Sequence, residues 1–269
     1  MLRIVTADER LEETRGAKIL LVGPTGVGKT SQLRTLDPKS TLFIDIEAGD
    51  LAIKDVGVDT IHLNDWPAAR DLAVRISGPN PSFGPMSCYG EAHYRAVGGD
   101  LPNLDRYSTI FIDSITALSR LSFRWAEQQP EAFSERSGKK DLRGVYGAHA
   151  REMITLLNVL QHVRNMNVVF VSVLELVRDE FGHADWKIQM EGARTGRELP
   201  GIVDEIVTMQ MVDFGDGKEL VRSFICTSPN PWNYPAKDRS GLLSQLEKPD
   251  LGGLLKKLSF HNVQSAQEK

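Results

Sequence analysis

The sequence predicts an α/β fold: a mostly parallel central sheet flanked by helices, with an antiparallel hairpin added near the carboxyl end. Three observations carry that prediction. Apolar runs of strand length alternate with segments of helical period, the pattern of parallel strands joined by right-handed crossovers. A glycine-rich loop, Gly23-Pro24-Thr25-Gly26-Val27-Gly28-Lys29-Thr30, separates the first apolar run from the first helical segment. Late in the chain two apolar runs, 202–212 and 220–226, are joined by Phe214-Gly215-Asp216-Gly217, which has the chemistry of a hairpin turn.

Taken in order, residues 1–16 are polar and read as a loose arm or a short edge strand. Lys18 to Val22 is a buried strand, and Ser31 to Leu36 reads as the helix after the loop. Thr41 to Ile46 is a second strand, ending in Glu47-Ala48-Gly49-Asp50, and Thr60 to Leu63 a third. Asn64 or Asp65 caps a helix that carries Pro67 in its first turn and runs to about Ser77. Residues 78–103 are rich in glycine and proline and form a loop-rich insertion. Thr109 to Asp113 is the next buried strand. Ile115, Leu118, Leu121 and Trp125 then repeat at helical spacing up to Pro130. After the polar stretch 131–147, residues Met153, Leu156, Leu157, Leu160 and Val163 mark an amphipathic helix. Asn167 to Val173 is a strand, followed by a polar stretch over 175–200. The expected organisation is an arm over 1–16, one domain over 17–260 and a polar tail over 261–269.

A chain of 269 residues suits one large domain. Its 41% hydrophobic and 25% charged content are ordinary for a globular protein. A net charge of −4 gives no global basic field, so any nucleic-acid contact needs a local patch. No run approaches the roughly 18 apolar residues needed to cross a bilayer, so no membrane partner is expected. The amino terminus lacks a signal-peptide core, and Cys88 and Cys226 make neither a metal spacing nor a disulfide framework; a reducing cytoplasm is the expected setting.

Each position of the glycine-rich loop has a mechanical job. Gly23, Gly26 and Gly28 let the backbone turn its amides inward around a triphosphate, and Pro24, Thr25, Val27 and Ser31 complete the cradle. The following helix start adds its dipole and unpaired amides. Lys29 reaches the β- and γ-phosphates, and the Thr30 hydroxyl ligates Mg²⁺. Asp113 closes a buried strand, where a carboxylate holds the metal's water shell; with Ser114 it is equally suited to cap the helix that follows. The loop alone does not separate ATPases, GTPases, nucleotide kinases and motors. A GTPase's Asn-Lys-x-Asp reader is missing, and Asp113 is followed by Ser-Ile-Thr rather than Asp-x-x-Gly spacing.

The runs Ile44-Asp45-Ile46-Glu47, Thr109 to Leu118 and Val145 to Met153 resemble blocks of the RecA-like phosphate-loop ATPases. Glu198 to Glu205 and Ala236 to Gly241 resemble carboxyl-terminal blocks of small phage-encoded members of the Sak type, core-only proteins linked to single-strand annealing and recombination. The resemblance covers roughly 17–260. It implies a RecA-like core, ATP and Mg²⁺ as ligands, and ATP hydrolysis. Glu47 becomes the base that orients the attacking water, and Lys237 and Arg239 a pair of cations reaching a neighbouring subunit's nucleotide. That role implies a homo-oligomer, ring or filament, with nucleotide at the subunit interfaces.

Two segments are expected at single-stranded DNA by the same resemblance: Arg136, Lys139, Lys140 and Arg143, and then Trp186, Lys187, Arg194 and Arg197. Cations track phosphates and an aromatic ring stacks on a base. A single-strand-binding protein is a further implied partner, and a phage origin would place the chain in the bacterial host cytoplasm. One position departs from the family: the strand end that usually carries a polar sensor is Val173 in the simplest register. The leading expectation is an ATP-dependent, single-strand-binding recombination or annealing protein. The alternatives are a ring-type, helicase-like DNA motor and a nucleotide-gated scaffold with little turnover.

Overall fold

The computed structural model describes residues 4–13, 15–178, 180–215 and 219–259. A short helix α1 (Ala7–Glu12) precedes the first strand, β1 (Lys18–Gly23), whose six residues are all buried. β2 (Thr41–Asp45) and β3 (Asp59–His62) follow, then α2 (Trp66–Ser77), capped by Asp65, and α3 (Glu91–Ala96). β4 (Thr109–Asp113), α4 (Ile115–Ala126) and α5 (Leu142–Gln161) lead to β5 (Asn167–Arg178). β6 (Ala184–Ile188), α6 (Ala193–Ile202), β7 (Glu205–Val212), β8 (Val221–Ile225), the two-residue strands β9 (Lys237–Asp238) and β10 (Leu246–Glu247), and α7 (Leu251–Ser259) complete the described chain.

The sheet runs β10-β8-β7-β1-β5-β4-β2-β3, with β6 paired to β5 and β9 to β7. β1, β2, β3, β4, β5 and β7 are parallel; β8 returns antiparallel beside β7 and β10 beside β8. Alternation along each strand builds a core on either face. Leu20, Val22, Ile44, Ile112 and Phe170 pack under Trp66, Leu118 and Leu156 from the helices. Ile19, Leu21, Phe43, Phe111 and Val171 face the other way, against Leu33, Leu251, Leu254 and Leu255. All carboxyl ends of the parallel strands therefore reach one edge, the place where α/β sheets bind ligands.

Several sequence expectations are corrected. The segment after the glycine-rich loop is a 3₁₀ helix, Thr30–Thr35, closed by the Leu36 amide on the Leu33 carbonyl; Pro38 disfavours helical backbone at Asp37 and keeps the turn short. The arm holds α1, where Thr6 and Glu9 form a capping box. The insertion holds α3 and packs Phe83, Tyr89 and Tyr94 onto the first core. The stretch 175–200 is ordered: β5 continues to Arg178, β6 pairs back on it and α6 follows. Its polarity reflects a hairpin that projects past the sheet, with side chains reaching water. Ile202 closes α6, and the strand expected from there begins at Glu205. The polar stretch before the amphipathic helix ends at Asp141, which caps α5. β9, β10 and α7 carry no clear sequence signal. Residues 216–218 of the hairpin joint and the tail over 261–269 lie outside the described residues.

Candidate functional site

β1 delivers Gly23 to the carboxyl edge of the sheet, where the loop folds over it. A β-carbon at Gly23 would meet the Met209 carbonyl oxygen at 2.5 Å. Gly26 and Gly28 have φ of +80° and +100°, a region that L side chains rarely adopt. Lys29 is buried, and its Nζ donates to the carbonyls of Gly23 at 2.8 Å and Pro24 at 2.9 Å. Burial lowers its pKa, opposed by Asp113 and Glu47. The Thr30 hydroxyl donates to Asp113 Oδ2 at 2.5 Å. Burial pushes the Asp113 carboxyl up to about 6, the Thr30 bond working against it. A buried carboxylate beside a hydroxyl is an oxygen donor pair of the kind a hard cation takes; Thr30 and Asp113 would hold Mg²⁺.

Helix capping falls to Ser114, whose Oγ accepts from the Ala117 amide at 3.1 Å, leaving Asp113 turned to Thr30. The Ser114 hydroxyl also donates to Glu47 Oε1. Glu47 is exposed, and its turn is fixed from below: buried Asp45 accepts the amides of Glu47 at 3.2 Å and Gly49 at 3.1 Å through one oxygen. Sequence reasoning missed this supporting carboxylate, which reads there as one more strand residue. The other Asp45 oxygen lies 3.3 Å from His62 Nδ1.

An open cleft beside the loop is lined by Thr25, Glu47, Arg120, Arg124, Val173 and Gln189 among others. Val173 is the register partner of Gly23, so the apolar strand end does sit at the loop. A polar side chain nonetheless reaches this cleft. Gln189 follows β6, hangs its amide on the Val173 carbonyl at 2.9 Å, and bonds Glu175 at 3.2 Å and Arg120 at 3.3 Å through its side chain. Only the pairing register of β5 and β6 brings it there, which explains why the sequence conceals it.

Lys237 and Arg239 lie at the opposite edge. β9 pairs with the first residues of β7, and Glu205 is level with Ile19, at the far end of β1 from Gly23. Lys237 Nζ donates to the carbonyls of Pro200 at 2.7 Å and Val203 at 2.8 Å. Arg239 donates to Asp204 at 2.9 Å. Neither is brought to the phosphate loop of its own chain.

The two basic segments share the loop's end of the sheet. α4 starts at Ile115, just past Asp113, and runs outward past the edge, since its Ser119 hydroxyl accepts from the Glu191 amide beyond β6. Ala126, Ala132, Val145 and Ala148 form a small separate core under this projection. Arg136, Lys139 and Arg143 are exposed on it, with exposed Phe133 and Tyr146 beside them, while Lys140 pairs with Glu127. His149, on α5, bonds the Glu191 carbonyl at 2.8 Å and so ties this segment to the second. There Lys187 is exposed on β6, Arg194 pairs with Glu198 at 2.9 Å, and Arg197 Nε reaches the Ala193 carbonyl at 3.3 Å. Trp186 is half-buried, its ring 5.1 Å from that of Tyr234.

The family model described as AAA domain (AAA_24) matches residues 15–240. No curated protein matches the chain. Among solved structures, a KaiC-like protein from the hyperthermophilic archaeon Pyrococcus horikoshii OT3 is similar at 13% identity, with 78% of each chain covered and a TM-score of 0.36. Among the described residues, no helix is long and apolar enough to cross a membrane.

Proposed function

The chain belongs to the AAA-domain family of phosphate-loop ATPases, and from that premise we propose that it is a Mg²⁺-dependent ATPase whose nucleotide state controls its hold on single-stranded DNA. The observation that carries the ATPase part is the convergence of Lys29, Thr30, Asp113 and Glu47 from three strand ends on one loop. The loop amides and Lys29 bind the phosphates, Lys29 exchanging its two carbonyl partners for phosphate oxygens. Mg²⁺ held there would supply neutralisation of phosphate charge. Thr30 and Asp113 would hold the ion, Asp113 in its ionised form. Glu47, freed from Ser114, orients the attacking water and receives its proton.

The polynucleotide part is supported by placement. Arg136, Lys139, Arg143 and Lys187 are exposed cations at the same end of the molecule as the loop, and Phe133 and Tyr146 offer stacking faces among them. Recombination or annealing of the phage type is the use this reading assigns, with copies of the chain assembled as a ring or filament along the strand. Lys237 and Arg239 can act on a neighbour's nucleotide only if that neighbour meets this opposite edge and their bonds to Pro200, Val203 and Asp204 open.

Phosphate release measured with and without an unstructured oligonucleotide tests the proposal. Stimulation of several-fold or more is the expected result. A rate near zero that ignores oligonucleotide favours the nucleotide-gated scaffold, and unwinding of a forked duplex favours a motor.

A further inference from the structure

One cation at the phosphate loop has no partner among the described residues. In the β7–β8 ladder Met211 lies opposite Arg222 and Met209 opposite Phe224. Side chains two apart on a strand share a face. Phe224 and Met209 are buried on the face that also packs Val27 and Leu33, from the loop and its helix. Arg222 and Met211 continue that row outward, onto the loop. Arg222 Nη1 lies 3.5 Å, and Met209 Cε 3.6 Å, from the position of a β-carbon at Gly28. Arg222 is exposed, and among the described residues its guanidinium has no hydrogen-bond or ion-pair partner. Met211, 39% exposed, stands beside it.

The sheet order gives this pair a direction. β4 and β2, which carry Asp113 and lead to Glu47, lie on one side of β1; β7 and β8 lie on the other. A nucleotide held by Lys29 and Thr30 turns its reacting end to Asp113 and Glu47, so its nucleoside end leaves over β7 and β8. A guanidinium suits that end twice over, donating to phosphate oxygens and stacking on an aromatic face.

Resting on the ATPase reading above, we propose that Arg222 binds the nucleoside end of the nucleotide in cis: it donates to the α-phosphate and lies, with the Met211 thioether, against the purine. Arg222 is then a substrate-positioning residue whose contact is common to ATP and ADP and is missing from inorganic pyrophosphate, which fills only the β- and γ-phosphate places. Calorimetric titration of the wild-type protein, Arg222→Ala and Arg222→Lys with ATP, ADP and inorganic pyrophosphate, all with Mg²⁺, tests this. Arg222→Ala is expected to bind ATP and ADP about 10- to 100-fold more weakly, to bind pyrophosphate within about twofold of wild type and to melt at the wild-type temperature. Arg222→Lys is expected to regain part of the ADP affinity through its charge. Unchanged ATP and ADP affinity in Arg222→Ala overturns the proposal. So does a loss for pyrophosphate as large as that for ATP, which would place Arg222 at the transferring end. A wild-type protein that binds ADP and ATP keeps the ATPase reading standing in either case; one that binds none of the three ligands overturns that reading and this one together.

Discussion

Lys29 shows how closely the free site anticipates its ligand. Its Nζ is parked on two carbonyls of its own loop, so no new backbone shape is needed to present it to phosphate. Lys29→Ala is expected to lower ATP hydrolysis by about 10²–10³-fold while leaving the melting curve close to wild type; phosphate release and thermal unfolding check the two halves. Glu205 makes a different residue-scale prediction. Burial and the neighbouring Asp238 raise its carboxyl from 4.5 to about 7. Between those values the native state binds more protons at this site than the unfolded chain. The Glu205 contribution to stability is therefore lost as pH rises through that window. Denaturant unfolding of wild type and Glu205→Gln at pH 5 and pH 8 is expected to show the balance moving toward the variant at pH 8. The shift is on the order of 1–2 kcal/mol, allowing for solvent screening. An unchanged difference between the two pH values would contradict it.

At the scale of elements, the join between α5 and the turn over 130–132 sets the base of the projecting lobe. A β-carbon at Gly144 would meet the Glu131 carbonyl oxygen at 1.7 Å, whereas at Gly147, one turn on, nothing lies within 4 Å. Gly144→Ala is expected to destabilise the protein by about 1–3 kcal/mol, and Gly147→Ala to stabilise it by about 0.5–1 kcal/mol. Denaturant midpoints of the two variants check the contrast, and the same sign for both would contradict this packing. The parallel strands other than the edge strand β3 were legible because each holds an apolar run buried on both faces, and the phosphate loop because its glycines and Lys29 are local in sequence. The β5–β6 hairpin was not: past Val173 its pattern alternates polar residues and no glycine-rich turn announces it strongly. Gln189 and Arg222 reach the site only through strand register, which no local spacing records. α7 escaped because its start, Leu251-Gly252-Gly253, is a poor helix former. It is held in place by contact with Thr35, the Gly252 amide bonding the Thr35 hydroxyl at 3.1 Å.

For the molecule as a whole, the two ends of the sheet have different work. The carboxyl end gathers the phosphate loop, Asp113, Glu47 and the projecting cations. The amino end is knitted by Lys18, Asp204, Arg15, Lys237 and Arg239. Arg239→Ala is accordingly expected to cost about 0.5–1.5 kcal/mol of stability, since Asp204 loses one of its two arginine partners and keeps Arg15, and to leave turnover per protomer within about twofold. A large loss of turnover at unchanged stability would instead show this edge meeting a neighbour's nucleotide. The central claim joins both functions of the carboxyl end, and fluorescence anisotropy of a labelled single-stranded oligonucleotide tests it most directly. Titrations with a non-hydrolysable ATP analogue and with ADP are expected to give affinities at least about tenfold apart, tighter with the analogue, and Lys29→Ala to erase the difference. Equal binding in both nucleotide states, or none at low salt in either, would contradict the account.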